Sequence, residues 1–353
     1  MRVKTAGIRD VAKMAGVSVT TVSHVLNETP HTRVAEETRS RVREAAKSLG
    51  YGPNRVAQAL RTRRSGLIGL LSEEIATTPH AGRIILGAQE AARAHGLTLV
   101  IVSAERGDGA AAHQADVQAL LDRQVDAILY ATMYHRRITL PPNLDAVPAV
   151  LIDATDTAGM LPAVVPDEVG GAVAAVRHLA EAGHRRIAFL NNNDDVPATH
   201  GRLAGYRQVL AEYDVPYDGK LVGETVSETP EGYELAKEIL ARSAPTALFC
   251  YNDRMAMGAY RAAAELSLRI PEDLSIVGFD NQEIIAANLF PALTTVALPH
   301  YEMGSWALET VVEMLADGEN RSDHEWVSAL LPCPLVTRDS VAPPREFRPS
   351  VPT

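Results

Sequence analysis

Residues 8–27, IRDVAKMAGVSVTTVSHVLN, constrain the fold of this chain more than any other stretch. Apolar residues recur at helical spacing in the first half and predict a short helix with one buried face. Gly16 follows, where a tight turn favours positive φ, and Ser18 stands where the N-cap of a second helix belongs. The apolar positions of the two predicted helices are Ile8, Val11, Ala12, Ala15, Val22, Val25 and Leu26.

The outward positions of the second helix carry mostly short polar side chains that donate or accept hydrogen bonds. A helix-turn-helix whose second helix enters the major groove of DNA has this arrangement. Small helical bundles also contain helix pairs of this length, so the pattern alone leaves a purely structural alternative open. The candidate DNA contacts on this helix are Ser18, Val19, Thr20, Thr21, Ser23, His24 and Asn27.

The distribution of charge favours contact with nucleic acid at one end of the chain only. The 353 residues carry a net charge of −10, which by itself argues against a nucleic-acid partner. Residues 1–64, however, contain 13 Lys and Arg against 5 Asp and Glu, a net charge of +8, and the remainder has a net charge of −18. A basic end on an acidic body is typical of a protein that meets phosphate with one end.

Two further helices are predicted before the body begins. Residues 35–49 have apolar positions at helical spacing, and Gly50 comes directly after them, where a C′ glycine ends a helix. Pro53 then interrupts the chain. Residues 54–62 can form a further helix, which is too short to be stable alone in water.

From Ser65 onward, apolar strand-like runs alternate with Ala-rich helical stretches, which predicts parallel sheets flanked by helices. Two such series in one chain indicate two similar lobes. The predicted strands are 67–71, 97–102, 126–131, 149–154, 187–190, 246–250 and 274–279. The predicted helices lie near 81–95, 110–124, 169–182, 201–213, 231–242 and 253–266.

Several classes of protein are disfavoured. Cys250 and Cys333 lie far apart in apolar surroundings, which predicts buried free thiols and no metal site. Gly170 and Gly171 lack the spacing of a phosphate-binding loop, so no cofactor is expected. The N-terminus shows no apolar core of a signal peptide, and no run is long enough to span a membrane, so we expect a cytoplasmic protein without membrane contact.

The motif DVA..AGVS..TVS.VLN in residues 10–27 resembles the DNA-binding head of the lactose-repressor/purine-repressor (LacI/GalR) family of bacterial transcriptional regulators. Longer phrases extend the resemblance over nearly the whole chain. They are GHRRIAFL at 183–190, GRLAGYR at 201–207, PTALFCYNDRMAMGAYRAAAELSLRIPEDLSIVGFDN at 245–281 and PALTTVALPHYEMG at 291–304. The segments ATTPH, MYHRR and VALPHYEMG look like those of the subgroup that senses plant-derived oligosaccharides.

The resemblance implies an α/β protein with a three-helix head, a hinge helix, and a bilobed body like that of periplasmic binding proteins, built from two Rossmann-like parallel-sheet subdomains. The implied domains are a helix-turn-helix head at 1–52, a hinge helix and linker at 53–64, and a body at 65–340. The first lobe is expected near 65–163 and 292–325, and the second near 164–291 and 326–340. Residues 341–353 are Pro-rich and charged, which predicts a disordered tail.

The resemblance also implies DNA contacts beyond the second helix. In the family the hinge helix orders on operator DNA, pairs with its dimer mate in the minor groove, and inserts a leucine that kinks the duplex. Leu60 matches that leucine, and a plain basic linker is the alternative. His24 stands where the family often carries arginine, which reads guanine bidentately, so we expect an operator unlike the commonest half-site. The further implied contacts are Tyr51, Asn54, Arg55, Ala57 and Leu60.

An effector is implied between the lobes, at the carboxyl ends of the strands. Arg202 matches an arginine that grips ligand hydroxyls or carboxylate, Asn252 matches a polar contact, and Asp280 an aspartate that accepts from hydroxyls. The structural alternatives are an ion pair between the lobes for Arg202 and helix caps for Asp253 and Asp280. The complete set of expected contacts is Glu74, His80, Tyr134, His135, Asp153, Arg202, Asn252, Asp253, Asp280 and His300.

These expectations describe a homodimeric repressor of carbohydrate-utilisation genes. It would bind near-palindromic operator DNA and leave it when a di- or oligosaccharide binds between the lobes. A corepressor-type regulator and a sugar-binding receptor without DNA contact are the alternatives, although an uptake receptor would need a signal peptide and no basic head. No motif supports an acid/base pair, so no catalytic residue is assigned and an enzyme is not expected.

Overall fold

The computed structural model describes residues 6–27, 32–51, 64–73, 81–104, 111, 113–317 and 327–345. The chain divides into two compact units, Met1–Gly66 and Leu67–Thr353, which we call the head and the body. Each unit has an apolar core of its own, and we describe each by itself.

The described part of the head contains three helices, α1 (Ile8–Ala15), α2 (Val19–Leu26) and α3 (Glu36–Ser48). Their apolar faces meet in one small core. Val11, Val22 and Val42, one from each helix, are completely buried there. The helix-turn-helix predicted from the apolar spacing is therefore confirmed, and α3 closes its open side.

Turn and cap residues determine where these helices begin and end. Gly16 adopts a φ of +66° after α1, and the Ser18 hydroxyl accepts from the amide of Thr21 at 3.0 Å at the start of α2. Gly50 adopts a φ of +60° after α3. The amides of Gly50 and Tyr51 donate back to carbonyls of the last turn, which is the Schellman pattern.

The first sheet of the body is built from six parallel strands in the order β11-β5-β4-β3-β1-β2. In the described part of the body, helices from both ends of its sequence cover one face, and one α-helix packs on the other. The strands are β1 (Leu67–Glu73), β2 (Thr98–Ala104), β3 (Ala127–Ile138), β4 (Ala149–Asp156), β5 (Ala163–Pro166) and β11 (Ala329–Leu331). The covering helices are α4 (Ala81–Ala94) with α11 (His300–Asp317), and α5 (Gln114–Leu121) opposite them.

The second sheet has the order β12-β10-β9-β8-β6-β7, and only β12 runs antiparallel to its neighbour among the described strands. Its strands are β6 (Ile187–Asn192), β7 (Val222–Thr225), β8 (Ala247–Cys250), β9 (Ser275–Asp280), β10 (Thr294–Ala297) and β12 (Leu335–Val336). Its helices are α6 (Glu168–Glu181), α7 (Pro197–Glu212), α8 (Thr229–Ser243), α9 (Asp253–Glu265) and the short α10 (Glu283–Ala286).

The chain passes between the two sheets three times, at positions that differ from the expected lobe boundaries. Residues 163–166 pair with β4 and so belong entirely to the first sheet, although the boundary was expected at 163–164. Residues 294–297 pair with β9 in the second sheet rather than joining the first lobe. Residues 329–331 pair with β5 in the first sheet rather than joining the second lobe. Which sheet each segment joins is determined by hydrogen bonds between strands that are far apart in the sequence. The position of a segment in the sequence does not reveal this pairing.

The start of the predicted tail is ordered, which corrects the expectation of disorder from residue 341. The amide of Ala342 donates to Ser275 Oγ at 3.1 Å, and its carbonyl lies 2.9 Å from Nε2 of His184. Arg345 forms an ion pair with Asp273 at 2.9 Å. Residues 346–353 lie outside the described part. Among the described residues, no helix is both long and apolar enough to cross a membrane.

Candidate DNA-binding surface and effector site

The outward side of α2 stays free of the head's core. Val19 is 41% exposed, Thr20 is exposed, and His24 is half-buried. These side chains stand at or one turn beyond the start of the helix, which is the part that a recognition helix presents to base edges.

Four other predicted DNA contacts on α2 have structural partners within the helix. Ser18 and Thr21 cap its start, with their hydroxyl oxygens 2.9 Å apart. Asn27 closes its end, because Nδ2 donates to the carbonyl of Ser23 at 2.8 Å and to its hydroxyl at 3.1 Å. Tyr51 packs partly against the core of the head. The predicted hinge contacts Asn54, Arg55, Ala57 and Leu60 lie outside the described residues.

In the body, Arg202 is the centre of a buried polar cluster between the two sheets. It projects from α7 and is 3% exposed. Its Nε donates to Glu168 Oε2 at 2.8 Å, and its Nη1 donates to the carbonyl of Tyr251. The guanidinium lies over two aromatic rings, 4.2 Å from the centre of Tyr251 and 3.8 Å from that of Phe279. Both contacts are favourable cation–π geometries.

Three carboxyl groups surround this guanidinium. Asp280, the last residue of β9, has Oδ1 3.8 Å from Arg202 Nη1. Glu168 begins α6, and its burial raises the pKa of its carboxyl. Asp153, in the second half of β4, is 3% exposed, and burial together with the charge of Glu168 raises its pKa well above the usual range. Asp153 and Asp280 come from different sheets, so the cluster joins both.

His135, from the second half of β3, lies near this cluster, and Tyr134 precedes it on the strand. Nδ1 of His135 is buried without a hydrogen-bond partner in the described part of the chain. Burial, reinforced by the charge of Arg202, lowers the pKa of His135 to about 4, so the ring is neutral at pH 7. Tyr134 is half-buried, and the guanidinium of Arg136 lies 5.9 Å from its ring centre.

The side chains of Asn252 and Asp253 are both engaged by the protein, but the helix cap anticipated for Asp253 is formed by Asn252 instead. Asn252 caps α9, accepting from the amide of Met255 at 2.8 Å, and its Nδ2 donates to the carbonyl of Ser227 at 2.9 Å. Asp253 is fully buried and accepts from the amide of Gln282 at 2.7 Å and from the hydroxyl of Thr295 at 2.6 Å. Both oxygens of its carboxyl are therefore used. Burial and the charge of Asp280 raise the pKa of Asp253 to about 8.

His300 lines a cavity of about 500 Å³ beside the cluster, and Asp280 lines the same cavity. Part of the wall comes from the passages of the chain between the sheets, including Ala297, Leu298 and Pro332, and Arg83 of α4 and Glu283 of α10 also line it. Glu74 and His80, which were expected to face the ligand, lie outside the described residues.

Glu168 and the two rings under Arg202 were missed by the sequence argument. Asp167 caps α6, accepting from the amide of Gly170 at 2.8 Å, and Glu168 is the first residue of the helix. The arginine partner of Glu168, 34 residues away, could not be inferred. Within the described parts, no group of His, Cys, Asp or Glu side chains could hold a metal ion.

Both the head and the body match known protein families. Residues 7–54 match the family model "Bacterial regulatory proteins, lacI family", and residues 176–341 match "Periplasmic binding protein-like domain". The HTH-type transcriptional repressor PurR of Pectobacterium atrosepticum is 35% identical, covering 97% of this chain and 99% of its own. The lac repressor dimer bound to operator and the anti-inducer ONPF is 29% identical, with a TM-score of 0.75 over 96% of this chain and 100% of that chain. The transcriptional regulator CelR in complex with cellobiose is also 29% identical, with a TM-score of 0.65 over 95% and 99%.

A basic helix-turn-helix head followed by a two-sheet body of the periplasmic-binding-protein type defines a class of DNA-binding transcriptional regulators. The chain belongs to the LacI family of bacterial regulatory proteins and is a DNA-binding repressor of that family. Its relatives are regulators rather than enzymes.

Proposed function

We propose that this repressor controls carbohydrate-utilisation genes and leaves its operator when a di- or oligosaccharide binds between the two sheets. The observation that carries the proposal is the buried cluster of Arg202, Glu168, Asp153 and Asp280, which draws on strands of both sheets. A sugar presents many hydroxyl donors, and charged acceptors bind such donors at about 1.5–3 kcal/mol per hydrogen bond. The structurally similar CelR is known in complex with cellobiose.

The proposed contacts follow from the surroundings of each side chain. In this proposal Asp153, Asp280 and Arg202 form the polar wall, and His135 and His300 flank it. Tyr134 stays an expected contact from the sequence. Asn252 and Asp253 are left out, because the protein already uses their polar atoms. Glu74 and His80 remain expected contacts from the sequence alone.

On the DNA side, two heads of a homodimer would bind the two halves of a near-palindromic operator. Val19 and Thr20 are suited to a thymine methyl or a single hydrogen bond, and His24 offers one donor or acceptor to a base edge. The hinge segment, with Leu60 as the wedge, would couple the heads to the body. Because coupling is reciprocal, operator DNA must weaken sugar binding as much as sugar weakens operator binding.

A gel-shift titration tests this function. Full-length protein on a selected operator should be released by cellobiose or a related oligosaccharide. Asp280→Asn should lose the response, while Glu224→Gln, an exposed acid on β7 at the far edge of the second sheet, should retain it. Tighter DNA binding in the presence of sugar would identify a corepressor instead. No effect of any sugar would remove the sensor role and leave the DNA-binding role intact.

A further inference from the structure

The cluster around Arg202 contains more acidic groups than basic ones. Three carboxyl groups, those of Asp153, Glu168 and Asp280, interact electrostatically with one guanidinium. Nε of Arg202 donates to Glu168 at 2.8 Å, and Nη1 donates to the carbonyl of Tyr251. Arg202 is thus largely committed to Glu168, so it balances only part of the charge around it.

Two other arginines of the body, Arg136 and Arg338, are engaged elsewhere. Arg136 pairs with Glu73 in the first sheet. Arg338 donates to the carbonyl of Leu293 and to the side chain of Asn281, both at 2.7 Å. Burial and the neighbouring Glu168 and Asp280 carboxyl groups disfavour the ionised form of Asp153, and Arg202 offsets only part of this effect on its pKa.

Asp153 supplies a second and independent observation. It is 3% exposed, and its Oδ1 is a buried acceptor without a hydrogen-bond partner in the described structure. It also adopts a φ of +58°, in the left-handed region that a β-strand residue rarely occupies. An unmet buried acceptor is expensive to keep unless a ligand completes it. Its environment indicates what that ligand must bring, namely hydrogen-bond donors and positive charge.

We propose that the effector presents a protonated amine to Asp153 and Asp280, which makes an amino-sugar oligosaccharide the chemical class that this site prefers. The inference rests on the proposed sugar-sensing function and specifies its ligand. A hydroxyl donates one hydrogen bond and brings no charge, whereas an ammonium donates three and stabilises the ionised form of Asp153 by its opposite charge. Phosphorylated or carboxylated sugars bring like charge and are disfavoured.

Three β-1,4-linked disaccharides that differ only at carbon 2 separate these possibilities. They are cellobiose with a hydroxyl, the glucosamine disaccharide with an amine, and the N-acetylglucosamine disaccharide with a neutral amide. Isothermal titration calorimetry of the full-length chain at pH 6, where the amine is protonated, should show the amine compound binding at least about tenfold more tightly than cellobiose, a difference of about 1.4 kcal/mol. Equal or weaker binding of the amine compound, or no binding of either, would overturn the inference.

Asp153→Asn preserves the shape of the side chain and removes its ability to ionise. In this variant the glucosamine disaccharide should bind less than about threefold more tightly than cellobiose. In Glu224→Gln, on the remote edge strand β7, the same ratio of affinities should stay above about tenfold. An unchanged ratio in Asp153→Asn would overturn the assignment. If that variant does not fold by circular dichroism, Asp280→Asn takes its place with the same criterion.

A parallel gel shift keeps this inference distinct from the proposed function. Release by cellobiose without a preference for the amine would defeat the amine inference alone. Preferred binding of the amine compound without any change in operator affinity would support the amine site and defeat the sensor function.

Discussion

Removing the positive charge of Arg202 while its carboxylate partner remains should destabilise the body strongly. Arg202 and Glu168 are both buried, their ion pair spans 2.8 Å, and they join α7 to α6. Breaking a buried pair by deleting one member typically costs about 3–5 kcal/mol, because the other charge is left uncompensated. We therefore expect Arg202→Met to lower the free energy of unfolding of the body by about 4 kcal/mol.

Replacing Glu168 should destabilise the body less than replacing Arg202. Glu168→Gln keeps the shape and one hydrogen-bond acceptor, and Arg202 retains Asp280 at 3.8 Å. The free energy of unfolding should fall by about 1–3 kcal/mol. The double variant leaves no unpaired charge at this position. Its decrease in the free energy of unfolding should therefore be about 2–3 kcal/mol smaller than the sum of the decreases in the two single variants.

An exposed ion pair between the same two helices is the matched control. Arg177 and Glu212 also join α6 to α7, at 2.6 Å, but their side chains are 39% and 36% exposed. A pair of this exposure contributes about 0.2–1 kcal/mol, because water screens it. The cycle of Arg177→Met and Glu212→Gln should therefore show a coupling below about 1 kcal/mol.

Urea unfolding of the full-length chain, followed by far-ultraviolet circular dichroism, supplies the seven free energies of the two cycles, which share the unaltered chain, provided that the denaturant dependence stays constant. The argument fails if the Arg202 and Glu168 losses are additive within about 0.5 kcal/mol. It also fails if the exposed pair couples as strongly as the buried one, because burial would then not be the cause.

Three further outcomes follow from individual residues. Ser18→Ala removes the cap of α2 and should lower the stability of the head by about 1 kcal/mol in thermal melts. An unchanged stability would refute the capping role. The pKa of His135 in the folded chain is about 4, below its unfolded value of 6.5. Up to about 3 kcal/mol of stability that is present above pH 6.5 should therefore be lost as the pH falls towards 4. His135→Gln should remove that part of the pH dependence of stability. Gly87→Ala on α4 would place a Cβ against the carbonyl of Tyr301 on α11 and should lower the melting temperature, whereas Gly82→Ala on the same helix meets open space and should not.

The sequence by itself determined the local structure. The helices of the head, the glycine after α1 and the serine cap of α2 follow from apolar spacing and backbone preference within a few residues. The seven predicted strands of the body also occur, because each is a continuous apolar run. The strands it missed, such as β7 and β11, are only three or four residues long, too short for a period to show.

Only the tertiary structure decided the order of the strands, the passages between the sheets and the neighbours of Arg202. Residues 294–297 and 329–331 join sheets other than those expected, because pairing depends on strands far away in the sequence. Glu168 meets Arg202 because α6 packs against α7, and no local pattern encodes that distance. Apolar periodicity and caps act over one or two turns of chain, whereas the charge balance of a buried site is set by packing across the whole body.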